Sequence, residues 1–243
     1  MSITKTAKLK VLKNLTEANW DASYELEKLK AAVAQHDVPR IRIEHSEQGE
    51  HRFYIDRGEA YLSNHKQVNF LRTMTLPVIV IGEQEIRGLW LTGEDHPRCS
   101  SIDGQIRVAD PVAKSCELCP ESIPGFGACK PKVRLFVLPL LKKWEQPMIF
   151  SLSPTSMKPW REHQLKLHRS GLPTVSVITT FELEDLKSDT FRWARVRLGV
   201  RDVATKEQLT LAMSVLNGIA ILKQRISPQD FMELGDKLEE EPK

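Results

Sequence analysis

Two periodicities of apolar residues divide this chain. Residues 15–35 carry Leu15, Ala18, Ala22, Leu26, Leu29 and Val33 at helical spacing, which predicts an amphipathic helix closed off before Pro39. The runs "RIRIEH" and "HRFYID" then alternate with period two around a Ser/Glu/Gln/Gly segment and predict a hairpin. "PVIVIG" and "IRGLWLTG" predict a second strand pair turning near Gly82–Gln84. Further along, "VRLFVLPLL" and "PMIFSLS" read as strands joined by "KKWEQ", and "TVSVITTFELE" and "TFRWARVRLGV" form the strongest strand pair.

Helical spacing returns twice. "SPTSMKPWREHQLKLHRSG" offers Ser153 or Thr155 as N-cap and Gly171 as its stop, with Pro159 expected in the first turn. Thr205 and Gln208 make a capping-box pattern ahead of "LTLAMSVLNGIAIL". Short hairpin-linked strands with a few helices between them predict an α+β fold. The expected form is an antiparallel β-barrel or sheet with flanking helices. The predicted organisation has five parts: a helix and hairpin over 1–70, a core over 71–202, its insertion at 96–130, a helix at 203–227, and a flexible acidic tail at 228–243.

Composition excludes few classes. A 41% hydrophobic and 28% charged content is that of an ordinary globular chain. No apolar run reaches the roughly 18–20 residues of a membrane span, and the basic N-terminus lacks the apolar stretch of a secretory signal. The expectation is a cytoplasmic protein without membrane contact. The net charge of +3 is unevenly spread: residues 1–129 hold 16 basic against 18 acidic side chains, 130–201 hold 14 against 6, and 202–243 hold 5 against 8. A basic middle followed by an acidic end points to a polyanion partner.

All four cysteines lie between Cys99 and Cys129, spaced Cys99-x16-Cys116-x2-Cys119-x9-Cys129. In a reducing compartment such a cluster reads as metal ligands rather than disulfides. The Cys-x2-Cys pair lets two thiolates reach one ion from a tight turn, and two more complete a Zn²⁺ tetrahedron. His96 is an alternative to Cys99. A four-ligand site has no open position for water, so the metal is expected to be structural and the chain not an enzyme. No phosphate-binding Gly-rich loop, dinucleotide fingerprint or deaminase signature is present, and turn formation accounts for Ser100, Ser101 and Asp103 better than a catalytic triad with His96. A distant Cys before Cys-x2-Cys also fits an iron–sulfur nuclease of RecB type, but Glu-x-Lys occurs only at Glu241–Lys243.

Strand alternation identifies a candidate nucleic-acid surface. Phe191, Trp193, Arg195 and Arg197 share one face, opposite Arg192, Ala194, Val196 and Leu198; Lys132, Arg134 and Phe136 lie opposite Val133, Leu135 and Val137. Aromatic rings interleaved with cations suit base stacking and phosphate neutralisation, and Lys130 joins them beside the cysteine segment. Core packing of the aromatics, with arginines snorkelling at the edge, is the competing reading. Lys158, Arg161, Lys166, His168 and Arg169 add a basic helix face.

The run "HPRCSSIDG…CELCPESIPGFGACKPKVRLFVLPLL…MIFSLSPTSMKPW…HRSGLPTVSVITTFELE" resembles a group of phage and prophage replication-module proteins over about residues 75–200. Cys99, Ser100, Ser101, Asp103, Gly104, Cys116, Cys119, Pro120 and Cys129 carry the pattern. By analogy it is similar to the zinc-containing single-stranded-DNA-binding proteins of phages, in which a zinc subdomain joins an OB-type barrel. Their zinc sites can include histidine, whereas this set is all cysteine. The resemblance implies that the barrel or sheet is OB-like with an inserted zinc-ribbon-like subdomain. It also implies a single-stranded DNA or RNA partner in a bacterial host cell, a structural Zn²⁺, and replication or transcription proteins met through the acidic tail. A zinc-ribbon regulator that binds a polymerase or another protein is the alternative.

Overall fold

Alternation over Thr75–Leu89 yields one uninterrupted 15-residue strand, and the rest of the sheet is arranged along it. The computed structural model describes residues 38–56, 69–71, 74–91, 97–123, 127–141, 146–189, 192–215, 226 and 230–231, all within the unit Val38–Lys243. The strands are β1 (Arg40–Glu44), β2 (Arg52–Asp56), β3 (Asn69–Leu71), β4 (Thr75–Leu89), β5 (Cys99–Ile102), β6 (Gln105–Ile106), β7 (Lys130–Pro139), β8 (Met148–Leu152), β9 (Val177–Lys187) and β10 (Arg192–Val203). Two helices are described, α1 (Pro154–Arg169) and α2 (Lys206–Ser214). The expected N-terminal helix and the continuation of the last helix beyond Val215 lie outside the described residues.

The strand order is β10-β9-β4-β7-β8-β1-β2-β3, with β5 and β6 attached beside β4. Every described pairing is antiparallel except β1 with β8. The result is a mixed α+β fold whose strongly curled sheet forms a half-barrel. The hairpin expected near Gly82–Gln84 is absent. There β4 continues straight through, with a register irregularity between Val80 and Gly82 against β7. Glu83 sits mid-strand because its carboxylate accepts from Trp160 Nε1 at 2.7 Å and Gln164 Nε2 at 2.8 Å. Polar residues that read as a turn are therefore partners of a helix.

The concave side holds the main core, where Leu76, Val78, Val80, Val133, Leu135, Val137, Phe150 and Phe181 pack around Met157 and Trp160 of α1. Each such large apolar side chain contributes roughly 1.5–3 kcal/mol by leaving water. The convex side is covered as well. Ile79, Leu138 and Ile178 meet Ala212 of α2, while Ile86 and Ile102 meet Phe231. Burial on both faces explains why β7 reads as a nearly continuous apolar run.

The helix boundaries follow local chemistry. α1 begins after Ser153, whose side chain makes no capping hydrogen bond, and Pro154 occupies the first position. Pro159 thus sits in the second turn, not the first as expected. The helix ends in a Schellman arrangement: Gly171 N–H donates to His168 O at 2.9 Å and Leu172 N–H to Leu167 O at 3.0 Å. α2 carries the full capping box, with Gln208 N–H donating to Thr205 Oγ1 and Thr205 N–H to Gln208 Oε1.

One edge of the half-barrel, β10, faces the β1–β2 turn and α1 without a strand partner between them. Side chains supply the acceptors. Ala194 N–H donates to His45 Nδ1 at 3.1 Å and Val196 N–H donates to Ser156 Oγ at 3.0 Å. His51, almost fully buried, accepts from Ser46 N–H through Nδ1 at 3.0 Å, so the hydrogen-bond network places its proton on Nε2, 3.0 Å from Asp185 Oδ1. Arg192 beside Asp185 holds that carboxyl well down, at about 2. At these two amides the edge does not offer its backbone donors to another chain. Among the described residues no helix is long and apolar enough to cross a membrane.

Candidate metal clasp and nucleic-acid face

The C-terminal part of β4 pairs with β5, placing Cys99 opposite Leu89 and Ser101 opposite Arg87. Asp103 (φ 48°) and Gly104 (φ 78°) then turn the chain into β6. Positive φ at both central positions is what an Asp-Gly hairpin turn provides. Asp103 also locks this turn to β4: its N–H donates to Glu85 O at 2.8 Å while its carboxylate accepts Glu85 N–H at 2.9 Å. The Cys-Ser-Ser-x-Asp-Gly stretch is thus a rigid hairpin whose first residue is a thiol.

The other thiols are brought back to it. Cys116 Sγ lies 3.3 Å from Ser101 Oγ. Cys119 precedes the 3₁₀ turn Pro120–Ser122, and Cys129 N–H donates to Glu121 O at 3.0 Å, immediately before β7 begins. Gly127 packs so closely on the Glu121 backbone that a Cβ there would collide with its carbonyl. That close approach explains the glycine two positions before Cys129.

All four cysteines carry free thiols and line one cavity of about 10 Å³ with Arg87, Leu89 and Ser101. Burial first, and the three neighbouring thiols after it, push the Cys129 thiol up to about 11, against the pull of Arg87. Among the described residues no group of three or more His, Cys, Asp or Glu is gathered as a ready ligand cluster. The four cysteines line one small void without forming such a cluster. Four thiols are the soft donors that a tetrahedral Zn²⁺ site uses. His96 lies outside the described residues.

The strip expected on β7 and β10 divides. On β7, Lys132, Arg134 and Phe136 do alternate with the core residues, but at 4%, 2% and 1% exposure they are interior and cannot form an open contact surface. The physical reason is the second layer. Lys132 Nζ donates to Phe231 O at 3.3 Å, Arg134 Nη1 donates to Asp230 Oδ2 at 3.0 Å, and Arg134 also bonds Gln84. Burial draws the Arg134 pKa down while Asp230 holds it up. Arg40 reaches the other oxygen of Asp230. Asp230 and Phe231 therefore do not belong to a solvated tail; both are buried.

On β10 the expected alternation is present: Ala194 and Val196 are buried, Trp193 and Arg195 half-buried, and Arg197 67% exposed at its side chain. Phe191 lies outside the described residues. Arg195 donates to Glu184 on the neighbouring strand at 2.9 and 2.6 Å, and Arg197 lies 4.0 Å from the same side chain. Lys130 is exposed next to the clasp. Along α1, Lys158, Arg161, Lys166, His168 and Arg169 are all exposed.

Sequence reading missed a third feature. A groove of about 60 Å³ opens between β1, β8 and β10, lined by Arg40, Arg42, His45, Lys132, Ser151 and Asp230 among others. Its signal is faint: two arginines in "RIRIEH" and one aromatic residue, Phe231, in an acidic segment. Compared with family models, with curated proteins and with solved structures, the chain shows no match, and its function is read from this geometry.

Proposed function

We propose that this chain binds single-stranded nucleic acid, DNA by its resemblance to phage replication-module proteins, on an OB-like half-barrel braced by a structural Zn²⁺. The carrying observation is the outer face of β10, where Trp193, Arg195 and Arg197 follow one another at i, i+2 and i+4 on the edge strand of the curled sheet. An indole followed by two guanidinium groups supports stacking and phosphate neutralisation together. The carboxylate of Glu184 does not prevent this. Exposed ion pairs are worth only about 0–1 kcal/mol, and a guanidinium has five donors, so a phosphate can exchange with or join the carboxylate at little cost. Lys130 extends the cationic surface.

Cys99, Cys116, Cys119 and Cys129 would hold the zinc, which when bound supplies a tetrahedral cross-link and no chemistry on a substrate. The chain's own residues hold the rest: Asp103 fixes the β5–β6 turn on β4, and Glu121 fixes the return to β7.

Fluorescence titration with labelled oligonucleotides tests the reading. Binding should weaken with salt and show little sequence preference. A Trp193→Ala/Arg195→Ala variant should lose about tenfold or more in affinity, since one stacked base is worth ~1–3 kcal/mol, and its log–log salt slope should fall by roughly 0.7 for the lost phosphate contact. Affinity indifferent to salt, or unchanged in the variant, refutes the assignment.

A second reading has its own support. Val112, Leu118 and Ile123 are exposed apolar residues on the cysteine excursion, Leu118 at 81% within Cys-x2-Cys itself. They fit a zinc-ribbon module that docks on a protein. A stoichiometric protein partner lost in Leu118→Ser, with no oligonucleotide binding, would establish that reading instead.

A further inference from the structure

The edge strand β10 is capped over part of its length and bare over the rest. Leu183 N–H donates to Met74 O, on the side of β9 away from β10. Its register partner Val196 therefore stands in a non-hydrogen-bonded pair and turns its own N–H and C=O outward. The same follows for Leu198 opposite Phe181 and for Val200 opposite Thr179. A bulge at Arg201 then shifts the register; Ala204 N–H donates inward to Ser176 O, which leaves Val203 N–H as the next to face out. Three of these outward amides have side-chain acceptors: Ala194 meets His45, Val196 meets Ser156, and Val203 meets Asp202 Oδ1 at 2.8 Å. Among the described residues nothing caps Leu198 or Val200.

The surroundings of these two amides are open. Gly199 between them has no atom within 4 Å of where a Cβ would stand. Val200 and Val203 are 43% and 61% exposed, while Leu198 packs against the main core. Arg197 and Arg201 flank the window, and both are exposed. Unpaired donors and acceptors spaced two residues apart along an edge are what an added strand engages. A second copy of β10 is a poor occupant. Antiparallel self-pairing centred on Gly199 sets Leu198 against Val200, but it also sets Arg197 against Arg201, and like charges directly opposite destabilise a strand pair. Acidic side chains in those places stabilise it instead.

We infer that residues 197–201 form a docking edge to which a partner protein adds a short antiparallel strand of alternating acidic and apolar residues. Leu198 and Val200 supply the backbone bonds, with apolar side chains of the added strand opposite them. Arg197 and Arg201 set its charge. The inference goes beyond the nucleic-acid reading and stands without it, since pairing at this edge needs neither an oligonucleotide nor a metal.

A fluorescein-labelled heptapeptide of alternating glutamate and valine tests the edge in the full chain without nucleic acid, against a lysine–valine peptide as control. The glutamate probe should bind saturably and severalfold more tightly than the lysine probe. Amide hydrogen exchange at Leu198 and Val200, fast in the unbound chain, should slow on binding while Ala194 stays unchanged. Val200→Pro removes one donor and should weaken the probe severalfold with oligonucleotide affinity at the parent's value; Arg201→Gln should weaken the probe likewise. If circular dichroism shows that Val200→Pro folds poorly, N-methylated probes decide: methylating the valine amides should abolish binding, and methylating the glutamate amides should not. Equal binding of the two probes, or no slowing at Leu198 and Val200, overturns the inference and leaves the proposed function standing. A chain that sediments as a dimer with both amides already protected assigns the edge to a second copy and overturns it too. The expected probe results without any oligonucleotide binding keep the docking edge and remove the nucleic-acid reading.

Discussion

Replacing Ser156 tests how the open edge of the half-barrel is held. Its hydroxyl is fully buried, accepts Val196 N–H at 3.0 Å and lies 3.2 Å from Ser153 Oγ. Val196 is itself 1% exposed, so in Ser156→Ala its amide loses an acceptor where water cannot replace it. A buried donor left unpaired costs about 1–3 kcal/mol. Alanine is the better helix former, by a few tenths of a kcal/mol at most so near the start of α1. The net loss should be about 2 kcal/mol, or a fall in Tm of roughly 4–8 °C for a chain of this size. Ser153→Ala is the informative comparison. Ser153 is one of the two N-cap candidates in the sequence, beside Thr155, and a cap would be the more costly loss, yet its side chain makes no capping bond, so its replacement should stay within about 0.5 kcal/mol. Differential scanning calorimetry gives the ranking, and amide hydrogen exchange gives the location, with faster exchange at Val196 first and Ala194 next. If Ser153→Ala is the more damaging, or Val196 stays equally protected in Ser156→Ala, the account of the edge is wrong.

The purified protein should be colourless and hold about one zinc, with Cys119→Ser releasing it and lowering Tm; a brown preparation absorbing near 400 nm would instead indicate an iron–sulfur cluster. His163 is buried, with Nε2 3.2 Å from Thr179 Oγ1, and burial, then Lys166, lowers its pKa. The unfolded chain therefore takes up the proton first as pH falls below about 6.5, so stability present above that pH declines through the folded-state pKa. Urea midpoints at pH 7 and pH 5 should show a smaller drop for His163→Gln than for the parent.

The strands and helix caps were legible because each is written locally. Thr205 and Gln208 form the predicted box, and the β9–β10 pair carries the predicted alternation. Two things were not. A polar trio at 82–84 reads as a turn unless one knows that Trp160 and Gln164, far along the chain, bond to Glu83. Alternation on β7 separates two faces but cannot say that the second is also covered, because the cover arrives from Asp230 and Phe231. Spacing drew attention to the four cysteines; the cavity they line follows from the Asp103 turn and the Gly127 contact.

From Gly82 onward the ladder between β4 and β7 stays in register as far as Gly88 opposite Lys130. In connectivity terms, everything from residue 89 to 129 is an enlarged hairpin loop, leaving and rejoining the sheet at adjacent positions. Such an insertion is modular. Replacing it with a two-residue Asn-Gly turn should give a shortened half-barrel that folds without metal, losing Ile102 from the packing around Phe231. Conversely, the described residues around the thiols carry their own turns and join the sheet through the β4–β5 pair, the Asp103–Glu85 bonds and Ile102, so transplanting the loop onto another antiparallel hairpin means carrying those anchors with it.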